Sequence, residues 1–181
     1  MKIKFLSLFF VFFMSKQIHA EQIFTDNFEN HLIWEYIADD VMGGVSKGSV
    51  VYMDSDKGKV ALLSGKVSTE NNGGFIQIRR DLSNVKLDKA KFIKIVAKGN
   101  NHKYFIHIRT TGTFLPWQYY SAVFFVNDEY RDFIIPISDF TKSGSFIAQK
   151  VNTKSIKSIG LVAFGRDHKA ELYIKEIAFI D

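Results

Sequence analysis

The chain predicts an all-β sandwich. Apolar runs of five to eight residues, rich in Ile, Val, Phe and Tyr, recur at short intervals between clusters of Gly, Asn, Asp and Ser, the rhythm of strands and turns. No window keeps an apolar face at helical spacing for three turns, and the best candidate, 137–141, lasts about one turn. With 46% hydrophobic residues, 18 Phe and no Cys, stability must come from core burial and not from disulfides. Cys-ligated zinc and thiolate chemistry are excluded on the same ground.

From the N-terminus, Lys2 and Lys4 precede an apolar stretch from Phe5 to Met14 interrupted only by Ser7, and a short polar segment ends at Ala20. That order predicts a signal peptide over 1–20. The apolar stretch is about 10 residues long, half of what a bilayer-crossing helix needs. Its removal would leave one domain, 21–181, exported to the periplasm or the medium and without a membrane span. Losing Lys2, Lys4 and Lys16 would also lower the formal net charge from +5 to +2. Scattered charge on a near-neutral domain gives no electrostatic footprint for nucleic acid.

Strands are expected at 48–53, 59–67, 74–81, 92–98, 104–109, 119–126, 131–136, 158–164 and 170–180. Segments 54–58 and 99–102 carry residues that accept positive φ and are read as hairpins. Strand alternation places Gln77, Arg79, His107 and Arg109 on the face opposite the aliphatic side chains. Arg79 and Arg80, being neighbours on a strand, point to opposite faces. The polar face is a solvated sheet surface by default and a ligand groove in the sharper reading.

Four segments carry candidate chemistry. In Asp39-Asp40-Val41-Met42-Gly43-Gly44-Val45-Ser46, two carboxylates precede a glycine pair. Such a loop exposes amides to an anion or turns sharply with Asp39 or Asp40 accepting its amides or pairing with an arginine, and Asp40 is expected to be engaged in one of these ways. Asn71-Asn72-Gly73-Gly74 is a turn whose amides could also meet a sugar or peptide. The segment 114–120 offers aromatics around Pro116; its composition favours packing over the core, with Trp117 the side chain that would stack on a sugar. Asp54-x-Asp56-x-Gly58 begins like a calcium loop, but Gly65 stands where its final acid is needed. The histidines have no zinc spacing, so neither a metal nor another cofactor is expected. Ser46 is read as lacking the Gly-x-Ser-x-Gly setting of a nucleophile elbow and has no local histidine, so a non-enzyme is expected, with a hydrolase as the alternative because distance in sequence does not exclude a triad.

The stretch from Trp34 through Asp39-Asp40-Val41-Met42-Gly43-Gly44-Val45-Ser46 resembles the signature of the complex I intermediate-associated protein family. Leu63-Ser64-Gly65, the run from Val67 to Phe75, Arg79, Tyr104 with Arg109, Ile135 to Phe140 and Leu172 to Ile177 extend the likeness over nearly all of 21–181. The resemblance implies a galactose-binding-domain-like jelly roll and a non-catalytic binding or assembly module. Mitochondrial members assemble respiratory complex I, whose matrix or cytoplasmic arm an exported chain would not meet. The family's Gly-Asp-Gly turn is here Gly99-Asn100-Asn101-His102-Lys103. The site is expected to comprise Asp39, Asp40, Met42, Gly43, Gly44 and Ser46, then Asn71 to Gly74, with Arg79, Arg109 and Trp117. A protein partner held by 39–48 and 71–75 is the first reading, and a glycan held by the polar sheet face and Trp117 is the alternative.

Overall fold

The computed structural model describes residues 21–181, and the expected signal peptide over 1–20 lies outside the described residues. Among the described residues twelve strands form: β1 (Gln22–Asp26), β2 (Trp34–Ala38), β3 (Lys47–Ser55), β4 (Gly58–Val67), β5 (Phe75–Asp81), β6 (Phe92–Gly99), β7 (Lys103–Thr110), β8 (Tyr120–Phe125), β9 (Arg131–Pro136), β10 (Thr141–Lys142), β11 (Ile156–Phe164) and β12 (His168–Ile180). All nine expected strands are among them. The three extra ones, β1, β2 and β10, span two to five residues, too short for alternation to stand out. Among the described residues the only helical pieces are short 3-10 turns, one of them at Ile137–Asp139.

The strands make a jelly-roll sandwich of two six-stranded sheets. In the first, the order is β3-β4-β12-β6-β9, with β1 also pairing with β12; in the second it is β10-β8-β7-β11-β5-β2. Period-two alternation sends one apolar row of each strand inward. Leu63, Ile93, Ile95, Leu172, Ile174 and Phe179 from the first sheet share one core with Ile76, Ile78, Tyr104, Ile106, Ile159 and Leu161 from the second. Burial on this scale contributes about 1.5–3 kcal/mol for each large side chain.

The segment 54–58 closes the β3–β4 hairpin, with Gly58 at φ 83°. The hairpin expected at 99–102 does not form. Asn101 does take a positive φ of 60°, but β6 lies in the first sheet and β7 in the second. The turn therefore carries the chain across the sandwich, pinned by Gly99 N–H to Asn127 O and Val126 N–H to His102 O. Turn chemistry specifies a reversal and is silent about which sheet receives the next strand.

Arg79 and Arg80 do part to opposite faces. Arg79 pairs with Glu35 at 2.9 Å on the outside, whereas Arg80 pairs on the inside with Asp26, a buried residue. Asp26 also accepts Trp34 Nε1–H at 2.9 Å and Phe28 N–H at 2.7 Å, joining β1, β2 and β5. Asp26→Ala strands a largely buried guanidinium and should cost roughly 3–5 kcal/mol in urea unfolding; a variant as stable as the parent would contradict this.

Candidate functional site

The two glycine-paired loops meet at one carboxylate, that of Asp39, which is 0% exposed. Its Oδ1 accepts Ser46 N–H at 2.9 Å, and its Oδ2 accepts the Ser46 hydroxyl at 2.5 Å, Gly74 N–H at 2.5 Å and Phe75 N–H at 3.1 Å. Burial alone would raise the carboxyl's pKa, but the donors from Gly74, Ser46 and Phe75 outweigh it and hold the pKa below the ordinary 3.8. The glycines are there for space: a Cβ on Gly44 or Gly73 would land on the carboxylate. Gly43, at φ 86°, ends the 3-10 turn Asp39–Met42, and Asn71 and Asn72 take φ of 55° and 59° at the other loop.

The aspartate role expected of Asp40 thus belongs to its neighbour. Asp40 is exposed, and its side chain accepts only the adjacent Val41 N–H at 3.0 Å. The reason is a break in alternation: Trp34 and Ala38 are the inward residues of β2, so an extended strand would turn Asp40 inward, but the 3-10 turn Asp39–Met42 begins at once and swings Asp39 inside instead. Ser46 is buried, and its hydroxyl lies between Asp39, the Ser68 carbonyl at 3.2 Å and the Ser68 amide at 3.0 Å. Gly44-Val45-Ser46-Lys47-Gly48 does have nucleophile-elbow spacing, yet it leads into strand β3 and its hydroxyl is committed to the clamp. Of the thirteen expected site residues, Asp39, Gly43, Gly44, Ser46 and Asn71 to Gly74 belong to the clamp, Asp40 stands outside it, and Met42, Arg79, Arg109 and Trp117 line a groove.

That groove, about 550 Å³, runs over the outer face of the second sheet. The expected polar row lines it: Gln77 and Arg79 from β5, His107 and Arg109 from β7. Between them β11 supplies Gly160, in register with both Arg79 and His107. His107 stacks on Tyr119 with ring centroids 3.9 Å apart and planes at 15°, and Phe164 meets the pair edge-on. Burial pushes the imidazole down to about 3, so the ring is neutral at physiological pH. Sequence reasoning missed Tyr119, Phe164 and Gly160 as groove residues; the even spacing of Gly160 and Phe164 with Ser158 along β11 is the signal that marks them.

The 111–119 loop does not fold over the core as its composition suggests. Phe114 and Trp117 stand 82% and 61% exposed. The backbone beneath them is nevertheless held. Arg109 donates to the carbonyls of Thr113 and Leu115 at 3.1 and 3.0 Å, Gln118 Oε1 accepts Phe114 and Leu115 N–H, and the Ser143 hydroxyl donates to Trp117 O at 2.7 Å. An exposed indole on a fixed loop is a preorganised stacking surface. A second cleft of about 460 Å³ adjoins the groove, sharing Arg79, Arg109 and Ser158 and adding Glu35, Asp81, Phe114 and Lys157.

A model of the family described as Complex I intermediate-associated protein 30 matches residues 23–174. No curated protein matches the chain. Among solved structures, the family 11 carbohydrate-binding module from Clostridium thermocellum in complex with a β-1,3-1,4-mixed-linked tetrasaccharide superposes with a TM-score of 0.70 at 16% identity, covering 89% of this chain and 95% of that one. The family 11 module of the cellulosomal cellulase Lic26A-Cel5E of the same organism gives 0.70 at 14% identity, with coverage of 92% and 97%. At such identities the likeness establishes the fold.

Asp39→Ala should lower stability by about 3 kcal/mol, because it leaves buried amides unpaired, whereas Asp40→Ala should cost under about 1 kcal/mol. Since the folded pKa of Asp39 lies below 3.8, its contribution is complete above the unfolded value and vanishes as pH falls through the folded one. Urea unfolding at pH 7 and under acid reads both effects; equal losses in the two variants would refute the assignment.

Proposed function

The chain belongs to the Complex I intermediate-associated protein 30 family, and we propose that this member is a non-catalytic carbohydrate-binding module whose groove takes a glycan chain. The observation that carries the reading is Trp117, 61% exposed yet fixed through its backbone at the edge of a groove with polar side chains. An indole face stacks on the C–H face of a sugar ring. Gln77, Ser143, Ser158 and the two arginines supply donors and acceptors for ring hydroxyls. Hydrolysis of a glycosidic bond by the usual route needs two flanking carboxylates; the groove beside Trp117 has none in its lining, and the two of the adjoining cleft are already engaged, Glu35 with Arg79 and Asp81 with Ser83 N–H, which supports binding without catalysis. The family 11 module, which shares this fold, is complexed with a tetrasaccharide.

Export belongs to the same proposal. Its support is the order of Lys2, Lys4, the apolar stretch and Ala20, and it fits a domain whose ligand lies outside the cytoplasm. A second reading, capture of a protein partner, is favoured by one observation: Val41 and Met42 are exposed apolar side chains on the loop held by Asp39. The family's assembly role at complex I would belong to that reading, and would require the chain to remain inside the cell.

Affinity electrophoresis against a panel of polysaccharides separates the two. The expected result is retardation by at least one glycan, weakened about tenfold in Trp117→Ala. Retardation by none, together with capture of one envelope protein that Met42→Asp abolishes, would replace the glycan reading with the protein one.

A further inference from the structure

Arg79, Arg109 and Ser158 line both clefts on the outer face of the second sheet, so the two adjoin across these residues. β11 runs between β5 and β7, which places the two arginines one strand apart on either side of it, roughly 10 Å across. In that interval β11 contributes only Gly160, opposite Arg79, and Ser158, opposite Arg109. A Cβ on Gly160 would come within 2.7 Å of Gln77 Oε1. Gly160 and Ser158 thus keep the floor between the two arginines low; the Gln77 amide reaches over Gly160, and the hollow that both clefts share lies beside the Ser158 hydroxyl.

The charge around this hollow is not balanced from within. One Arg79 nitrogen meets Glu35 at 2.9 Å, an ion pair at the exposed edge of the sheet. Arg109 donates through Nη2 to two carbonyls and, among the described residues, pairs with no carboxylate. Burial first, and the Arg79 charge second, push the Arg109 pKa down, the response of a cation facing another cation. Lys157 adds a further positive group to the second cleft, against Glu35 and Asp81. A planar carboxylate or a sulfate ester is the chemistry that two guanidinium forks and a hydroxyl accept together.

We infer that the hollow between Arg79 and Arg109 is an anion subsite and that the ligand of the groove is an acidic glycan, bearing carboxylate or sulfate groups along its chain. The inference rests on the glycan reading of the groove and sharpens it. Trp117 stacks on one sugar unit, and the acid group of another is held between the arginines beside Ser158. A neutral glycan satisfies the indole and leaves the guanidinium pair facing itself.

Two matched pairs of polymers test this: polygalacturonate against its methyl ester, and dextran sulfate against dextran, with mixed-linkage β-glucan as a neutral reference. Affinity electrophoresis and calorimetry on the mature domain should show one acidic polymer binding at least about tenfold tighter than its neutral partner. The advantage should shrink in about 0.5 M NaCl. Polygalacturonate as the tighter ligand identifies carboxylate, and dextran sulfate identifies sulfate. Arg79→Gln should erase the preference, as should Arg109→Gln. Because Arg109 also steadies the loop bearing Trp117, Arg79→Gln, whose charged partner is the exposed Glu35, is the decisive variant, with near-ultraviolet circular dichroism checking its fold. Trp117→Ala should weaken the same binding, which adsorption of a polyanion to scattered lysines would not do. Neutral glycans bound as tightly as acidic ones, or an acid preference intact in Arg79→Gln, would overturn the anion subsite. In that event Trp117-dependent binding of a neutral polymer leaves the glycan reading standing, whereas no binding of any polymer removes both.

Discussion

A single buried carboxylate governs how the two glycine loops of this sandwich are arranged. Asp39 accepts four hydrogen bonds from two segments that the sequence separates by more than twenty residues. A carboxylate without solvent is costly unless its lone pairs are met, and here backbone amides and one hydroxyl meet them without a cation. The loops can close on it only because Gly44 and Gly73 present no side chain. Ser46 then ties the same knot to Ser68, just beyond the end of β4. What looks in sequence like ligand-binding chemistry is largely internal joinery, and its product is the placement of Met42 and Phe75 along the groove.

The groove itself follows from strand periodicity. Once the aliphatic row of β5, β7 and β11 is committed to the core, the alternate row has to face outward, and on these three strands it contains two arginines, a glutamine, a histidine and a glycine. The edges are raised by loops: Met42 comes from the clamp, and Pro116 and Trp117 come from a segment held by Arg109, Gln118 and Ser143. A flat sheet becomes a recess because its borders are higher than its floor. Arg109 works on both parts, bracing a border through its carbonyl bonds and presenting charge to the recess.

How much of this was legible beforehand depended on whether the information was local. The nine longer strands and the polar row at Gln77, Arg79, His107 and Arg109 emerge from alternation, which needs only a few neighbouring residues. The parting of Arg79 from Arg80 does too. The sheet to which each strand belongs does not, and so the turn at 99–102 reads in sequence as a hairpin although it bridges the sandwich. The choice between Asp39 and Asp40 turns on where β2 gives way to the 3-10 turn Asp39–Met42, a boundary finer than composition resolves. The exposure of Trp117 hinges on partners such as Ser143, distant in sequence, that hold its backbone and leave the indole outside.

The position of β12 has a consequence for biosynthesis. This strand is the last of the described chain, yet it sits in the interior of its sheet, flanked by β6 on one side and by β4 and β1 on the other. Until residues 168–180 have been translated, those three strands lack the neighbour that satisfies their backbone groups, and the first strand waits for the thirteenth residue of the last. Such non-local closure is slow by nature, since the entropy of bringing Gln22 and Ile180 together is lost before their pairing compensates it, and a chain halted before β12 cannot complete the first sheet.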